Sequence, residues 1–362
     1  ASQAAPRWDS RRPTSSHRSL LNVGLVGFGF AGKVFHAPVI RAVEGLRLTT
    51  IVQRSGGGAS DPHYADVDFV PSVDELLTRT VDLVVIATPN TSHHPIAQQC
   101  LLAGRHVVID KPFAPTLAEA QALVALAKTQ RRVLSVYQNR RYVGDFVTLQ
   151  RLVADGTLGR IVAYESHFDR FRPALKPGAW RERPEPGAGV WFDLGPHLLD
   201  QAFVLFRTPR AVAADVRTER DGAAVDDAFD VTLHYANLRA VLRASMLAAA
   251  PGPSFAVHGT AGSFIKYGVD AQEAALKAGR TPGEPDWDAD PPALYGTLTT
   301  PEGARPVPTI PSSYARYYEN VRDAVRGTAP LAVTPEQALD VMRGLELAVA
   351  SSQQRRVLPW TS

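Results

Sequence analysis

Apolar and polar positions follow two different rhythms along this chain. From residue 21 to about residue 145, short β-rich apolar runs alternate with stretches of helical period. "LNVGLVG" (21–27) is an apolar run ending in glycine, residues 32–43 read as a helix, and "LRLTTIVQRS" (46–55) reads as a second strand. "VDLVVIATP" (81–89) is almost unbroken in its apolarity, as a strand buried on both faces should be. "SHHPIAQQCLLAG" (92–104) reads as a helix ending at Gly104, and "RHVVIDKP" (105–112) as a strand halted by Pro112. "LAEAQALVALAKTQ" (117–130) is a further helix and "RVLSVYQN" (132–139) a further strand. Strands alternating with helices predict a doubly wound parallel sheet.

Beyond about residue 145 the helices between strands drop out. "RIVAYESHFDRF", "RAVAADVRTE", "AFDVTLHYA", "LRAVLRASMLA" and "SFAVHGT" are β-like runs in succession, which predicts a large, mainly antiparallel sheet. Two Pro/Gly-rich stretches, 172–189 and 279–296, are too polar for core and too long for simple turns, so both are candidate borders of an active site. Residues from about Tyr314 to Gln354 read as two helices around "GTAPLAVTPEQA". The fold class expected is therefore α/β followed by α+β, divided as a tail over 1–20, a parallel-sheet domain over 21–145, a second α/β domain over 146–311 and closing helices over 312–362. There is no internal repeat.

The composition changes this picture little. A length of 362 residues favours two domains, and 45% hydrophobic with 21% charged residues is ordinary for a globular chain. The single cysteine, Cys100, excludes an intrachain disulfide and fits a reducing, cytoplasmic setting. The formal charge of +3 is local, because Arg7, Arg11, Arg12 and Arg18 against Asp9 account for all of it. The remaining body is formally neutral, which leaves no electrostatic case for a nucleic-acid partner. The Arg- and Ser-rich tail reads as a flexible extension, a targeting remnant being the alternative. No run of membrane-spanning length is present, and no metal site is expected.

"GFGFAG" places Gly27, Gly29 and Gly32 at G-x-G-x-x-G spacing, directly after a strand and at the opening of a helix. Glycines there let the backbone turn tightly and approach a pyrophosphate that rests on the helix N-terminus, with Phe28, Phe30 and Ala31 between them. This makes the first domain a Rossmann dinucleotide-binding unit. At the end of the second strand no acid is available for a ribose hydroxyl pair. The positions read Val52, Gln53, Arg54 and Ser55, of which Arg54 and Ser55 suit a 2′-phosphate. That favours NADP, with NAD as the alternative cofactor and a solvated loop charge as the bland reading of Arg54.

Lys111 stands at the C-terminal end of a predicted parallel strand, where ligands of open α/β sheets bind. "GVWFDLGPHLLDQ" (189–201) places Asp193 and His197 one helical turn apart among large apolar residues. Taken alone, Asp193 reads as a helix N-cap and His197 as a hydrogen-bonded core histidine. Taken with the glycine loop and Lys111, the pair reads as part of a catalytic site on the first turn of a helix, with "GAG" before it leaving room for a ligand.

"GFGFAG", "ATPNTSHHPIA", "DKPFA" and "DLGPHLLD" occur in an order and spacing that resembles the glucose–fructose oxidoreductase, inositol dehydrogenase and rhizopine-catabolism (Gfo/Idh/MocA) family over residues 21–358. "FGFAGKVFHAP", "SVYQNRRYVGDF", "GSFIKYGVDAQEAALKAGRTP" and "PSSYARYYENV" look like its NADP-dependent scyllo-inositol 2-dehydrogenase branch. The resemblance implies an enzyme that moves a hydride between nicotinamide and a secondary alcohol of a cyclic polyol or sugar, scyllo-inositol and its inosose foremost. Matching positions imply Lys111, Asp193 and His197 as the catalytic set, and Thr88, Pro89, Asn90 and His93 beside the nicotinamide ribose. Asp110 and Asn139 join the cofactor site, Asp110 standing where the family has Glu, and Gln138 replaces the branch's His. His197 would take the hydroxyl proton, Asp193 would orient the imidazole or bind a neighbouring hydroxyl, and Lys111 would stabilise alkoxide charge. Arg172, Trp180 and Arg181, in the first Pro/Gly-rich stretch, would close over the polyol or the nicotinamide, with ordinary loop anchoring as the alternative. The resemblance also implies a homodimer or homotetramer built through the exposed sheet face. A keto-sugar reductase, an aldose 1-dehydrogenase and a dinucleotide-binding regulator without turnover remain the alternatives.

Overall fold

The computed structural model describes residues 20–54, 61–176, 178, 182–268, 270–287 and 289–361. The tail over 1–19, Ser55, Trp180 and Arg181 lie outside them. Six short strands build the first sheet: β1 (Leu21–Val26), β2 (Leu46–Val52), β3 (Asp68–Val70), β4 (Leu83–Ile86), β5 (His106–Ile109) and β6 (Leu134–Val136). All pairings are parallel, in the order β3-β2-β1-β4-β5-β6. The unbroken apolar runs of β4 and β5 are fully buried except at His106, because helices cover both faces. The helices are α1 (Ala37–Arg41), α2 (Val73–Leu77), α3 (His93–Leu102) and α4 (Leu117–Gln130). Thr116 and Glu119 form a reciprocal capping box that starts α4. The strand order reverses between β1 and β4, so the loops leaving these two strands open a crevice at the C-terminal edge of the sheet.

After α5 (Gly144–Ala154), β7 (Ile161–His167) begins the second sheet, and α6 (Gly189–Phe206) packs on it. The sheet continues with β8 (Ala211–Arg217), β9 (Ala228–His234), β10 (Arg239–Ser245), β11 (Phe255–Gly259) and β12 (Ser263–Lys266). Next come α7 (Ala271–Lys277), β13 (Gly296–Thr300), β14 (Gly303–Val307), α8 (Ala315–Val325), α9 (Pro335–Gln354) and β15 (Leu358–Pro359). The nine strands run β14-β13-β12-β11-β7-β10-β9-β8-β15, antiparallel except for the β7–β10 pair. The antiparallel expectation therefore holds with that one exception. β3, β12, β13, β14 and β15 escape the sequence reading because they are short and, in β14, exposed over most of their length.

The closing helices do not stand apart. α9 packs on α4, α6, β6 and β8, so it touches both sheets. Its Leu345 carbonyl accepts a hydrogen bond from Trp191 Nε1 at 3.0 Å, which ties α6 to it. Arg141 grips Asp200 of α6 through two bonds of 2.6 and 2.7 Å, fixing that helix against the end of the first sheet. Among the described residues no helix is long and apolar enough to cross a membrane.

The second Pro/Gly-rich stretch does not border the crevice. It folds around the buried Trp287, whose Nε1 donates to Gln272 Oε1 at 3.3 Å, and none of its described residues lines the cavity into which the crevice leads. Its many prolines and glycines serve a structural loop, a role that composition does not distinguish from a binding border.

Candidate active site

The glycine loop shows why each glycine is there. Gly27 takes φ +98°, and a Cβ on it would lie 2.7 Å from the Ala87 carbonyl oxygen of β4's exit. A Cβ on Gly32 would strike the Gly27 carbonyl oxygen, so the helix can start only if this residue is bare. Gly29 differs, with nothing within 4 Å of its Cβ position. The first and third glycines satisfy the chain's own packing, and the second keeps a cradle open. That is the arrangement a pyrophosphate needs to reach the backbone, so a dinucleotide fits here. Gly29→Ala is expected to leave the melting temperature within about 2 °C of the parent chain. NADPH affinity should fall at least tenfold or so, since a methyl group would occupy the cradle. Thermal unfolding and fluorescence titration measure the two effects.

The helix leaving the loop opens as a π-turn, Gly32–His36, before it becomes α1. Phe30 is 60% exposed and lines the cavity with Ala31. The ring of Phe28 does not. It packs inward edge-on against Tyr64 and Phe69, at 5.1 and 5.6 Å between centroids, which leaves its backbone as the part that faces the loop. Arg54 is exposed at the end of β2.

In the loop after β4, two side chains are committed to the protein's own backbone. His93 is 1% exposed, and its ring nitrogens lie 2.9 Å from the carbonyl oxygens of Pro112 and Thr88. It is a strut between the loops after β4 and β5, and burial lowers its pKa. Asn90 is equally buried. Its Nδ2 donates to the Gly187 carbonyl at 3.1 Å, and a Cβ on Gly187 would strike that nitrogen. Neither side chain lines the cavity, nor do Thr88 and Pro89. The "GAG" before α6 therefore leaves room for the protein itself. Gly187 admits Asn90, and Gly189, at φ +89°, admits the Asp226 carboxylate.

The crevice deepens into a cavity of about 480 Å³, the size range of small-molecule sites. Asp110, Lys111, Asn139, Arg172, Asp193 and His197 all line it, so the structure brings these sequence-selected residues together. Lys111 leaves the end of β5, with its backbone N–H donating to Asp110 Oδ1 at 2.8 Å. His36 Nε2 stands 3.7 Å from the same oxygen. Burial opposes ionisation of Asp110, but His36 and Lys111 more than offset it and hold the carboxyl at about 2.

Asp193 is not an N-cap and does not sit in a first turn. α6 begins at Gly189 behind Ala188, so Asp193 lies one turn inside. Pro196 stands in the same helix, where its missing N–H interrupts the backbone ladder. Close by, the Asp193 carbonyl accepts from Lys111 Nζ at 2.6 Å, and Asp193 Oδ1 accepts from the same Nζ at 2.8 Å. Arg170 Nη1 lies 3.7 Å from Oδ2. The sequence reading has Asp193 orienting the imidazole or binding a neighbouring hydroxyl; in the structure its carboxylate holds Lys111.

His197 is 7% exposed, and its Nδ1 is buried without a hydrogen-bond partner. This is not the hydrogen-bonded core histidine of the bland reading. Burial lowers its pKa well below 6.5, and the charges of Lys111 and Arg140 push it further down. The imidazole is therefore neutral, the form that accepts a proton. Sequence reasoning missed Arg140 and Arg170, which flank the Phe168 ring at 5.1 and 5.0 Å from its centroid. Arg140 is also ion-paired with Glu273. Arg140 had a readable signal, since it follows β6 much as Lys111 follows β5. Arg170 had none.

Comparison with known proteins agrees with this architecture. Residues 21–138 match the family profile of the Gfo/Idh/MocA oxidoreductases' NAD-binding Rossmann fold, and residues 150–360 match that of their C-terminal alpha/beta domain. The chain is 43% identical over 343 residues to the uncharacterized oxidoreductase YdgJ of Escherichia coli, covering 93% of this chain and 98% of that one. It is 36% identical over 344 residues to IolW of Bacillus subtilis, named an NADP(+) scyllo-inositol 2-dehydrogenase, covering 93% and 95%. The solved structure of the Bacillus subtilis oxidoreductase yvaA superposes with a TM-score of 0.92 at 35% identity, covering 96% of this chain and 100% of that one. A glycine cradle, a lysine at the sheet's C-terminal edge and two matching profiles along one chain place this protein in the Gfo/Idh/MocA family of NAD(P)-dependent oxidoreductases.

Proposed function

We propose that this protein transfers hydride between NADP and a secondary alcohol of a cyclic polyol or sugar, with scyllo-inositol and its inosose as the reference pair. One observation carries the reading. Lys111 Nζ is fixed by Asp193 at 2.8 Å in a cavity it shares with a neutral, buried His197 and the glycine loop. When bound, the nicotinamide accepts or returns the hydride. Lys111 hydrogen-bonds the reacting oxygen and stabilises its developing negative charge. His197 takes the hydroxyl proton during oxidation and returns it during reduction. Gly27, Gly29 and Gly32, with Ala31 and Phe30 beside them, hold the dinucleotide. Asp110 and Asn139 border the nicotinamide end.

The NADP preference rests on Arg54, exposed at the end of β2 with no acid in the ribose position. Its guanidinium would form a charge-assisted pair with the 2′-phosphate. Arg54→Ala is expected to raise the KM for NADP about tenfold or more while changing that for NAD little. Equal changes for the two cofactors would remove the phosphate argument. The test of the reaction itself is initial-rate measurement with scyllo-inositol, myo-inositol, glucose and xylose, each with NADP and NAD. A protein that binds NADPH yet reduces no nicotinamide with any of them, and oxidises none with the matching ketones, would point to the regulator instead. We place assembly into a homodimer or homotetramer on the open face of the nine-stranded sheet, which light scattering would check.

A further inference from the structure

The charges lining the cavity do not balance. Seven Lys and Arg side chains face five Asp and Glu. Most of them are committed to one another. Glu273 serves both Arg140 and Lys277. Glu182 takes Arg220 Nη1 at 3.2 Å and the Lys176 backbone N–H at 2.7 Å. Asp193 serves Lys111 and stands 3.7 Å from Arg170. Among the described residues no carboxylate lies within ion-pair distance of Arg172 or Lys176.

These two cations ride on an anchored segment. The buried Arg220 is locked to Asp227 at 2.8 Å, and its Nη1 donates to the carbonyls of Arg172 and Ala174, both at 3.4 Å. The Arg172 N–H donates to the Met246 carbonyl at 2.7 Å. The backbone is thus pinned from behind, and Arg172 and Lys176 line the cavity. Arg170, 21% exposed, has its pKa lowered first by burial and also by the charge of Arg172, against the pull of Asp193. Arg170 and Arg172 line the same cavity, and an anion bound between them would be attracted by both.

We infer that Arg170, Arg172 and Lys176 form an anion subsite, and that the preferred substrate is a polyhydroxylated ring bearing an acid group, carboxylate or phosphate, beside the reacting carbinol. This rests on the proposed reaction and narrows its substrate class. The cofactor's own phosphates are the competing source of the same chemistry, so the test separates the two.

Matched rings that differ only in the acid group decide it: glucose with glucuronate and with glucose 6-phosphate, and scyllo-inositol with an inositol monophosphate. With NADP at low salt, an acid-bearing ring should show a kcat/KM about tenfold or more above its neutral partner. The ratio should shrink as salt rises. Arg172→Gln and Lys176→Gln should each reduce the ratio, and Arg172→Lys should keep much of it. Calorimetric titration of the NADPH-loaded protein with glucuronate and with glucose gives a readout independent of turnover. Neutral rings used as well as acidic ones would overturn the subsite and leave the oxidoreductase reading standing. Absence of turnover with every ring would count against that reading, and the titration would then judge the subsite alone, equal or absent binding of both rings overturning it. Arg172→Gln weakening NADPH binding as much as acid binding would assign the charge to the cofactor and overturn the proposal.

Discussion

Lys111→Ala is expected to lower kcat by about 10² to 10³, the range seen when a positioned donor to a developing oxyanion is removed. NADPH should still bind within a few-fold of the parent chain. The size of the effect follows from how the ammonium is held. Its Nζ donates to two atoms of one residue, Asp193 Oδ1 at 2.8 Å and the Asp193 carbonyl at 2.6 Å, and both lie on a helix locked by Arg141 and Asp200. The charge is thus placed before substrate arrives and needs no reorganisation. The fold should survive the truncation, because Asp193 keeps Arg170 at 3.7 Å as a positive neighbour. Stopped-flow turnover with a fluorescence titration of NADPH separates chemistry from binding. Turnover within about tenfold of the parent would take Lys111 out of the reaction.

His197→Ala should cost about 10² to 10⁴ in kcat for alcohol oxidation, the usual contribution of a positioned general base. The pH dependence follows from the direction of its shift. Its pKa lies well below 6.5 because of burial and the charges of Lys111 and Arg140, so the ring stays neutral as pH falls through 6.5. The acid limb of kcat/KM for oxidation is therefore expected below pH 6.5, whereas reduction, which needs the imidazolium, should quicken as pH falls over the same range. Stability has the same origin. Below about 6.5 the unfolded chain takes up a proton that the native site refuses, so stability declines as pH drops toward the native value. The alanine variant lacks this contribution, and its melting temperature should fall less than the parent's between pH 7 and pH 5. An oxidation profile whose acid limb lies at or above pH 6.5 would exclude His197 as the base.

The parts of this protein that could be read along the chain are those set by local chemistry. The parallel sheet was legible because β4 and β5 are buried on both faces and show it as unbroken apolarity. The glycine cradle was legible because tight turning and close approach restrict the residue type at Gly27 and Gly32. Lys111 drew attention because a proline-stopped strand end is a place, whereas His197, a core histidine when taken alone, gained its catalytic reading only from the glycine loop and Lys111 upstream. Except for His197, each of these signals lies within a few residues of its cause.

The rest depended on residues far apart in sequence. That Asp193 holds Lys111 rather than the imidazole is settled across 82 positions, by a helix whose start at Gly189 no local signal revealed. Asn90 and His93 resemble ligands by position, yet their nitrogens are taken by backbone carbonyls at Gly187, Pro112 and Thr88. The ring of Phe28 turns inward because Tyr64 and Phe69 are there to receive it. Arg140 and Arg170 came to the site only when the second sheet was laid against the first. Composition reported a neutral body, while folding gathered an excess of positive charge into one cavity, since net charge is a sum over the chain and a site's charge depends on which side chains are brought within a few ångströms. Sequence determined the sheet, the cradle and the chemical types available; the tertiary structure decided which groups pair and which are left to meet a ligand.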